Sequence, residues 1–377
     1  MDHLHSKKHK KKNKKPLYIL IGTFIVFGIF IYLLTRPSLQ SKAIEQIQVC
    51  GNINDVKSIY ERYKFDLLEA DENGNKIVAL EFQDAVREKL NSFNLNDEEL
   101  IKCLEWITPS KTSLNVIIIP DLSRRIIDTL NNPNQIDNDI MVLNTIWNSF
   151  VEYSKLKQDT KDKLMVDVTD IDQAKGQFSS IANKLQFDLS SHKGKSNRLY
   201  FTDEKNKQFQ SAVNELYKSA KDKPLGADYI FYFRRHLVNH LKKPTLYDNY
   251  INKVIIITDG YLELEERQDY GAGSRWNYTE INSKLYSSVN NGNIKNTITS
   301  LSLNIPIINK IDLNHTDILV CEVFEKKSGK TKDFEILKAY WEDWFERMSA
   351  NPSKIKFIQR EQASDITKKR IAEFFKN

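Results

Sequence analysis

At 377 residues the chain is long enough for one large domain with an extension, or for two domains, and its 40% hydrophobic and 28% charged residues are ordinary globular usage. The net charge of +6 is entirely local, because residues 1–16 hold seven lysines and one aspartate and the remainder sums to zero. That balance argues against a nucleic-acid-binding body and leaves an interaction protein or an enzyme as the classes to weigh.

The basic tail, residues 1–16, is followed by nineteen almost wholly apolar residues, Leu17 to Thr35. As a helix they would extend about 28 Å, close to the thickness of a bilayer core. Tyr18 and Tyr32 lie near the two ends, where aromatic anchors belong. A cleaved signal peptide would have a shorter apolar region ending in small residues, which Arg36-Pro37-Ser38-Leu39-Gln40 does not supply. The expectation is an uncleaved single-pass helix over 17–35 in a bacterial cytoplasmic membrane. Seven lysines before the span against Arg36 and Lys42 after it keep the N-terminus inside and place the bulk of the chain in the periplasm or outside the cell.

Residues 36–110 read as a small helical stalk or pre-domain. Apolar residues recur at helical spacing over Val56–Ala70 and Leu80–Phe93, and Asn96-Asp97-Glu98-Glu99 is a capping-box start for a helix that Pro109 stops. Asp71–Asn75 is read as a polar turn, since the sixth and twelfth positions of a calcium loop would fall on Lys76 and Phe82. Cys50 and Cys103 are candidates for one disulfide in an exported domain, and Cys321, inside a strand pattern, reads as a buried core residue.

Over 111–377 the pattern is one of strands alternating with helices, which predicts a doubly wound, mostly parallel α/β sheet with helices on both faces. Two stretches dominate it. Asn115-Val116-Ile117-Ile118-Ile119-Pro120 is a strand buried on both faces that runs into Asp121-Leu122-Ser123-Arg124-Arg125. Lys253-Val254-Ile255-Ile256-Ile257 is a second such strand, ending in Thr258-Asp259-Gly260. Open α/β sheets bind ligands at the carboxyl ends of their strands, so both aspartates are candidate site residues.

D-x-S after one buried strand and T-D-G after a later one resemble the von Willebrand factor A (vWA) domain, a Rossmann-like fold carrying a metal-ion-dependent adhesion site. The resemblance covers the chain from about Ser113 onward and rests on the fold pattern and these short motifs. It implies a divalent cation, Mg²⁺ foremost, held by Asp121, Ser123 and Asp259. A further ligand is implied from the loop before the helix that precedes the second strand. The family places a Thr there; here the loop reads Gly226-Ala227-Asp228, so Asp228 takes the position. The second Ser of the D-x-S-x-S pattern is replaced by Arg125, which carries no acceptor. Two readings therefore stand for this site. In one a cation is bound; in the other Arg125 pairs with Asp121 or Asp228 and supplies the positive charge.

The long stretch Tyr261–Tyr278 leaves the same rim and mixes acids, arginines and aromatics with flexible glycines. Tyr261, Glu263, Arg275 and Trp276, together with Arg125, are its candidate partner contacts, with a plain surface hairpin as the alternative. For catalysis little is on offer. His236 and His240 stand four apart but lack the Glu of a metalloprotease motif, and read as polar residues on a helix flank. The expectation is a membrane-anchored interaction protein with a protein partner, and with neither nucleic acid nor a small-molecule substrate. The alternatives are a metal-dependent, phosphoesterase-like hydrolase and a structural subunit of a membrane complex with an inactive metal site.

Overall fold

The computed structural model describes residues 37–376 apart from 71–73, 75, 108–111, 131–132, 156, 158, 170–176, 265–275, 278–292, 308–310, 326–332 and 361–363. The apolar run 17–35 lies outside the described residues, among which no helix is long and apolar enough to cross a membrane. The chain divides into two compact units, Met1–Thr108 and Pro109–Asn377.

The first unit is not wholly helical. Helices α1 (Leu39–Gln48), α2 (Ile53–Tyr63), α3 (Leu80–Asn91) and α4 (Asp97–Leu104) surround Val56, Tyr60, Phe82, Val86 and Leu90, all buried. The helical pattern read as far as Ala70 ends earlier. Strand β1 (Leu68–Ala70) pairs antiparallel with β2 (Lys76–Val78), so the polar turn joins two strands and not two helices. The capping box is present as expected: the Asn96 side chain accepts from the Glu99 amide and the Glu99 carboxylate accepts from the Asn96 amide, each at 3.0 Å. Cys50 and Cys103 are buried free thiols, and the disulfide considered for them is not formed.

The second unit is mixed α/β around a six-stranded sheet. In chain order its elements are β3 (Thr112–Pro120), α5 (Gln135–Ser154), β4 (Lys163–Val166), α6 (Gln177–Lys184), β5 (Gln186–Asp188), α7 (Lys195–Asp222), and α8, which starts as Tyr229–Tyr232 and runs on through a π-helical turn Phe233–Leu237 to Val238–His240. Then follow β6 (Asn249–Ile257), the two-residue strands β7 (Glu263–Leu264) and β8 (Trp276–Asn277), α9 (Ile294–Ser300), β9 (Thr316–Val323), α10 (Asp333–Arg347), β10 (Ile355–Gln359) and α11 (Ser364–Lys376). The sheet order is β10-β9-β6-β3-β4-β5, parallel throughout except for the antiparallel edge strand β5.

Period-two alternation assigns the sheet residues to two cores. Val116, Ile118, Ile255, Ile257, Leu319 and Cys321 face α5, α6, α7 and α11, whereas Ile117, Ile119, Val254, Ile256, Ile318 and Val320 face α8, α9 and α10. The central strands are apolar on both faces because both are covered. Helix α5 shows the complementary pattern: Gln135, Asp139, Val142, Leu143, Ile146, Trp147, Phe150 and Ser154 form one buried stripe at helical spacing. Two polar residues thus occupy the start of a mostly apolar stripe, and both belong to the site described next.

The topology turns around at β3. From β3 the chain moves outward through β4 and β5, then returns to the other side of β3 as β6 and continues to β9 and β10. The carboxyl ends of β3 and β6 lie side by side at this switch point, the place where open α/β sheets form a crevice.

Candidate functional site

Asp121 follows β3 directly and is 3% exposed. Its amide donates to Ile257 O of β6 at 2.8 Å, which extends the strand ladder by one residue and fixes the backbone. Both carboxylate oxygens are engaged. Oδ1 accepts from the Ser123 amide at 3.0 Å; Oδ2 accepts from the Thr258 hydroxyl at 3.0 Å and lies 3.1 Å from Arg125 Nε. Ser123 caps the short 3-10 turn Arg124–Ile126, its hydroxyl facing the Arg125 amide at 3.5 Å. That turn directs the Arg125 side chain inward, where it is buried.

The guanidinium of Arg125 joins three elements. Besides Asp121, it donates through Nη2 to Asp139 Oδ2 on α5 at 2.8 Å and to Ile257 O at 3.1 Å. Asp139 also accepts from Tyr217 Oη of α7 at 3.1 Å and from Gln135 Nε2 at 2.7 Å. Gln135 in turn accepts from Arg360 Nη1 at 2.9 Å, and Arg360 Nε faces Glu322 Oε2 at 3.9 Å. Burial works against the charge on Arg125, but Asp139, Asp121 and Asp259 outweigh it and hold the guanidinium well above its ordinary range. Burial raises the Asp139 carboxyl, against the pull of Arg125 and of its hydrogen-bond donors. Glu322, 1% exposed, is pushed up to about 7 by burial and then by the nearby Asp139, with Arg360 and Arg125 pulling the other way. It sits at a bulge in the β9–β10 pairing with φ of 67°.

Asp259 is buried at the end of β6; its Oδ1 accepts from the Tyr261 amide at 3.2 Å and its carbonyl from the Phe324 amide at 3.1 Å. Gly260 has φ of +91°, and a Cβ there would meet Val323 Cγ1 at 3.0 Å, so this turn requires glycine. The Gly226–Asp228 loop also reaches the rim. Leu225 N donates to Leu122 O at 2.9 Å and the Thr169 hydroxyl to Gly226 O at 2.9 Å. Within that loop Asp228 caps α8, its Oδ1 accepting from the Phe231 amide at 2.9 Å. Of the two pairings open to Arg125, the structure has the one with Asp121 and adds Asp139.

In the stretch after Asp259, Tyr261 Oη donates to Asp333 at 3.2 Å, and Glu263–Leu264 pairs antiparallel with Trp276–Asn277 as a small hairpin. Arg275 and the side chains of Glu263 and Trp276 lie outside the described residues. His240 Nε2 meets Asp167 Oδ2 at 3.2 Å, and Tyr232 Oη donates to the same oxygen at 2.8 Å. This arrangement ties α8 to the end of β4.

Sequence reasoning missed Asp139, Gln135, Tyr217, Arg360 and Glu322. A signal existed for two of them: Gln135 and Asp139 share the helical stripe of Val142, Leu143 and Ile146, and a carboxylate in a core stripe needs a buried partner.

These residues do not fit a divalent cation of the adhesion-site kind. Both oxygens of Asp121 already accept hydrogen bonds and one lies against the Arg125 guanidinium, Asp228 is a helix cap, and a fixed positive charge stands where a cation would need acceptors. Among the described residues no group of three or more His, Cys, Asp or Glu is arranged to hold a metal ion.

No family model matches the sequence, and no curated protein matches it. Among solved structures the chain is similar to proximal thread matrix protein 1 from the mussel byssus, at 11% identity and a TM-score of 0.29 over 71% of this chain and 47% of that one. It is also similar to the pilus adhesin SpaC from Lactobacillus rhamnosus GG, at 9% identity and TM-scores of 0.35 and, for its open conformation, 0.32. Each SpaC match covers 71% of this chain and about a third of the adhesin. The chain therefore spans less than half the length of these proteins, and likeness at this level carries no functional argument.

Proposed function

We propose that residues 109–377 form a vWA-like interaction module whose rim is organised by a built-in guanidinium in place of a divalent cation. The observation that supports this reading is Arg125, placed between Asp121 and Asp139 at the switch point of the sheet. In a cation-dependent site the metal draws loops from separate strands together and is completed by a partner carboxylate. Here Arg125 links the β3 loop, the end of β6 and α5 without a soluble ion, so the rim would be formed before any partner arrives. The partner is a protein, met outside the cytoplasmic membrane to which the segment 17–35 would anchor the chain. Binding would be insensitive to chelators.

The test is a calorimetric titration of Mg²⁺, Mn²⁺ and Ca²⁺ into the full chain and into Arg125→Ser, which recreates the D-x-S-x-S spacing. The wild type is expected to give no saturable heat and the variant to gain it. Saturable binding to the wild type that disappears in Asp121→Ala would overturn the guanidinium reading. In parallel, cross-linking from position 261 on the rim is expected to retrieve the same protein with and without EDTA. Loss of that product on chelation would count against the reading in the same way.

A further inference from the structure

Glu322 is a buried acid that makes no direct contact with Arg125's two carboxylates. It is 1% exposed, it occupies the bulge between β9 and β10, and its φ of 67° lies in the left-handed region that a glutamate rarely adopts. Among the described residues nothing donates a hydrogen bond to its Oε2, and Arg360 Nε stands 3.9 Å from that oxygen. The charged groups facing it come from three places: Asp139 on α5, Arg125 in the rim turn, and Arg360 directly after β10. On its own strand the neighbour is the Cys321 thiol, which burial pushes well up and so keeps neutral.

Arg360 is engaged elsewhere. Its Nη1 donates to Gln135 Oε1 at 2.9 Å and its Nη2 to the carbonyl of Pro133. The Asn138 side-chain oxygen, with the amide turned so that both of its polar atoms are satisfied, accepts from Nη2 at 2.6 Å and from Nε at 2.9 Å. The backbone of Arg360 is fixed separately, its amide donating to Val323 O at 2.9 Å. All three side-chain partners lie at the start of α5, where the helix lacks support of its own. Asn134, just before the first turn, has φ of 59° and its side chain caps no amide. The start of α5 is thus held from β10.

A protonated Glu322 asks nothing of Arg360. An ionised one is a buried charge beside the like charge of Asp139, and it must find a cation. Arg125 is committed to Asp121 and Asp139. Arg360 needs a shift of only about 1 Å to make a charge-assisted bond to Oε2. A guanidinium is flat and rigid, so bringing Nε onto Glu322 draws Nη1 and Nη2 off Gln135 and Pro133.

We propose that Glu322 and Arg360 form a proton-operated latch on α5. With Glu322 protonated, Arg360 clasps Pro133, Gln135 and Asn138; with Glu322 ionised, it turns to the carboxylate and releases the first turn of the helix. Gln135 also donates to Asp139 at 2.7 Å, so the release is passed to the carboxylate that Arg125 holds. Burial, and then Asp139, raise the Glu322 carboxyl to about 7, which sets the latch closed below neutral pH and open above it. The latch does not depend on what the rim binds.

The test uses a nitroxide spin label on Asp137→Cys, an exposed position in the first turn of α5, in the full chain in lipid nanodiscs. The three native thiols are buried, and the parent chain treated with the same label gives the background. Between about pH 5.5 and about pH 8.5 the mobile fraction of the spectrum is expected to rise at least about threefold, with a midpoint near 7. A label on Glu335→Cys, exposed in the first turn of α10, is expected to show no such rise. Glu322→Gln is expected to keep the α5 label ordered at both pH values, and Arg360→Met to leave it mobile at both. An α5 label indifferent to pH, an equal response at Glu335, or a response that survives Glu322→Gln or Arg360→Met would each overturn the proposal. The first two comparisons need no change at Glu322 or Arg360, so they decide the matter even if those variants fail to fold.

Discussion

The two ends of the sheet solve one problem in two ways. Each buries a cation beside carboxylates. At the carboxyl ends of the strands the cation is Arg125, whose flat guanidinium touches Asp121, Asp139 and a strand carbonyl together. At the amino ends it is Lys253, a point charge whose single nitrogen reaches Asp317 and a helix carbonyl. Each links three elements, but arginine does so through three contacts that fill the space between them, whereas lysine does so through two and leaves a cavity alongside. A guanidinium suits a rim whose loops must be held in place, whereas an ammonium suits the floor of a pocket.

Removing each cation would expose this difference. Arg125→Met leaves Asp121 and Asp139 buried without their shared counter-charge, and a loss of about 3–5 kcal/mol is expected from guanidinium unfolding curves. Adding Asp139→Leu to that variant should recover part of the loss, because the worst of the cost is an unpaired buried carboxylate. Full additivity of the two losses would show that the pair does not act as a unit. Lys253→Met should cost less, about 1–3 kcal/mol, since Asp317 keeps Lys354 and the packing of a linear side chain is preserved. If the lysine variant proves the more damaging of the two, the contrast drawn between the ends is wrong.

Glu322 supplies a pH dependence found at the rim. Its native carboxyl is raised from 4.5 to about 7, so the folded state holds a proton that the unfolded state releases earlier. That contribution is full below about pH 4.5 and is lost as pH rises through 7, so stability should fall across this window, by roughly 3 kcal/mol. Glu322→Gln should flatten the slope; an unchanged slope would assign it to another group. The smallest effect is expected at Asp228. As a helix cap, its replacement by Ala should cost about 1 kcal/mol, and by Asn much less. Equal damage from both substitutions would mean that the charge of Asp228 matters beyond the cap.

Much of the second unit could be read directly from its strands. Val116–Ile119 and Val254–Ile257 are apolar on both alternating faces, which only a strand covered on both sides tolerates, and the aspartates that follow them stand at adjacent strand ends. The loop at Gly226–Asp228 also comes to that rim. The short first-unit hairpin was not legible, because Leu68–Ala70 continues the apolar spacing of the helix before it and three residues are too few to establish a period. The disulfide expectation failed for a related reason: exported context permits a bond, but only backbone geometry decides whether two thiols can meet.

The sequence by itself determined the alternation of strands and helices, the central place of the two isoleucine-rich strands, the capping box at Asn96 and the presence of an arginine where the resemblance would put a serine. Those are local properties, set by spacing and by the chemistry of single side chains. Only the tertiary structure decided which carboxylates that arginine meets. Asp121 is four residues away, but Asp139 comes from the next helix and Tyr217 from a third element, and no local pattern relates them. A buried charge must be matched by whatever groups the packing brings within hydrogen-bond reach, so its partners are fixed by how helices lie on the sheet and not by their order along the chain.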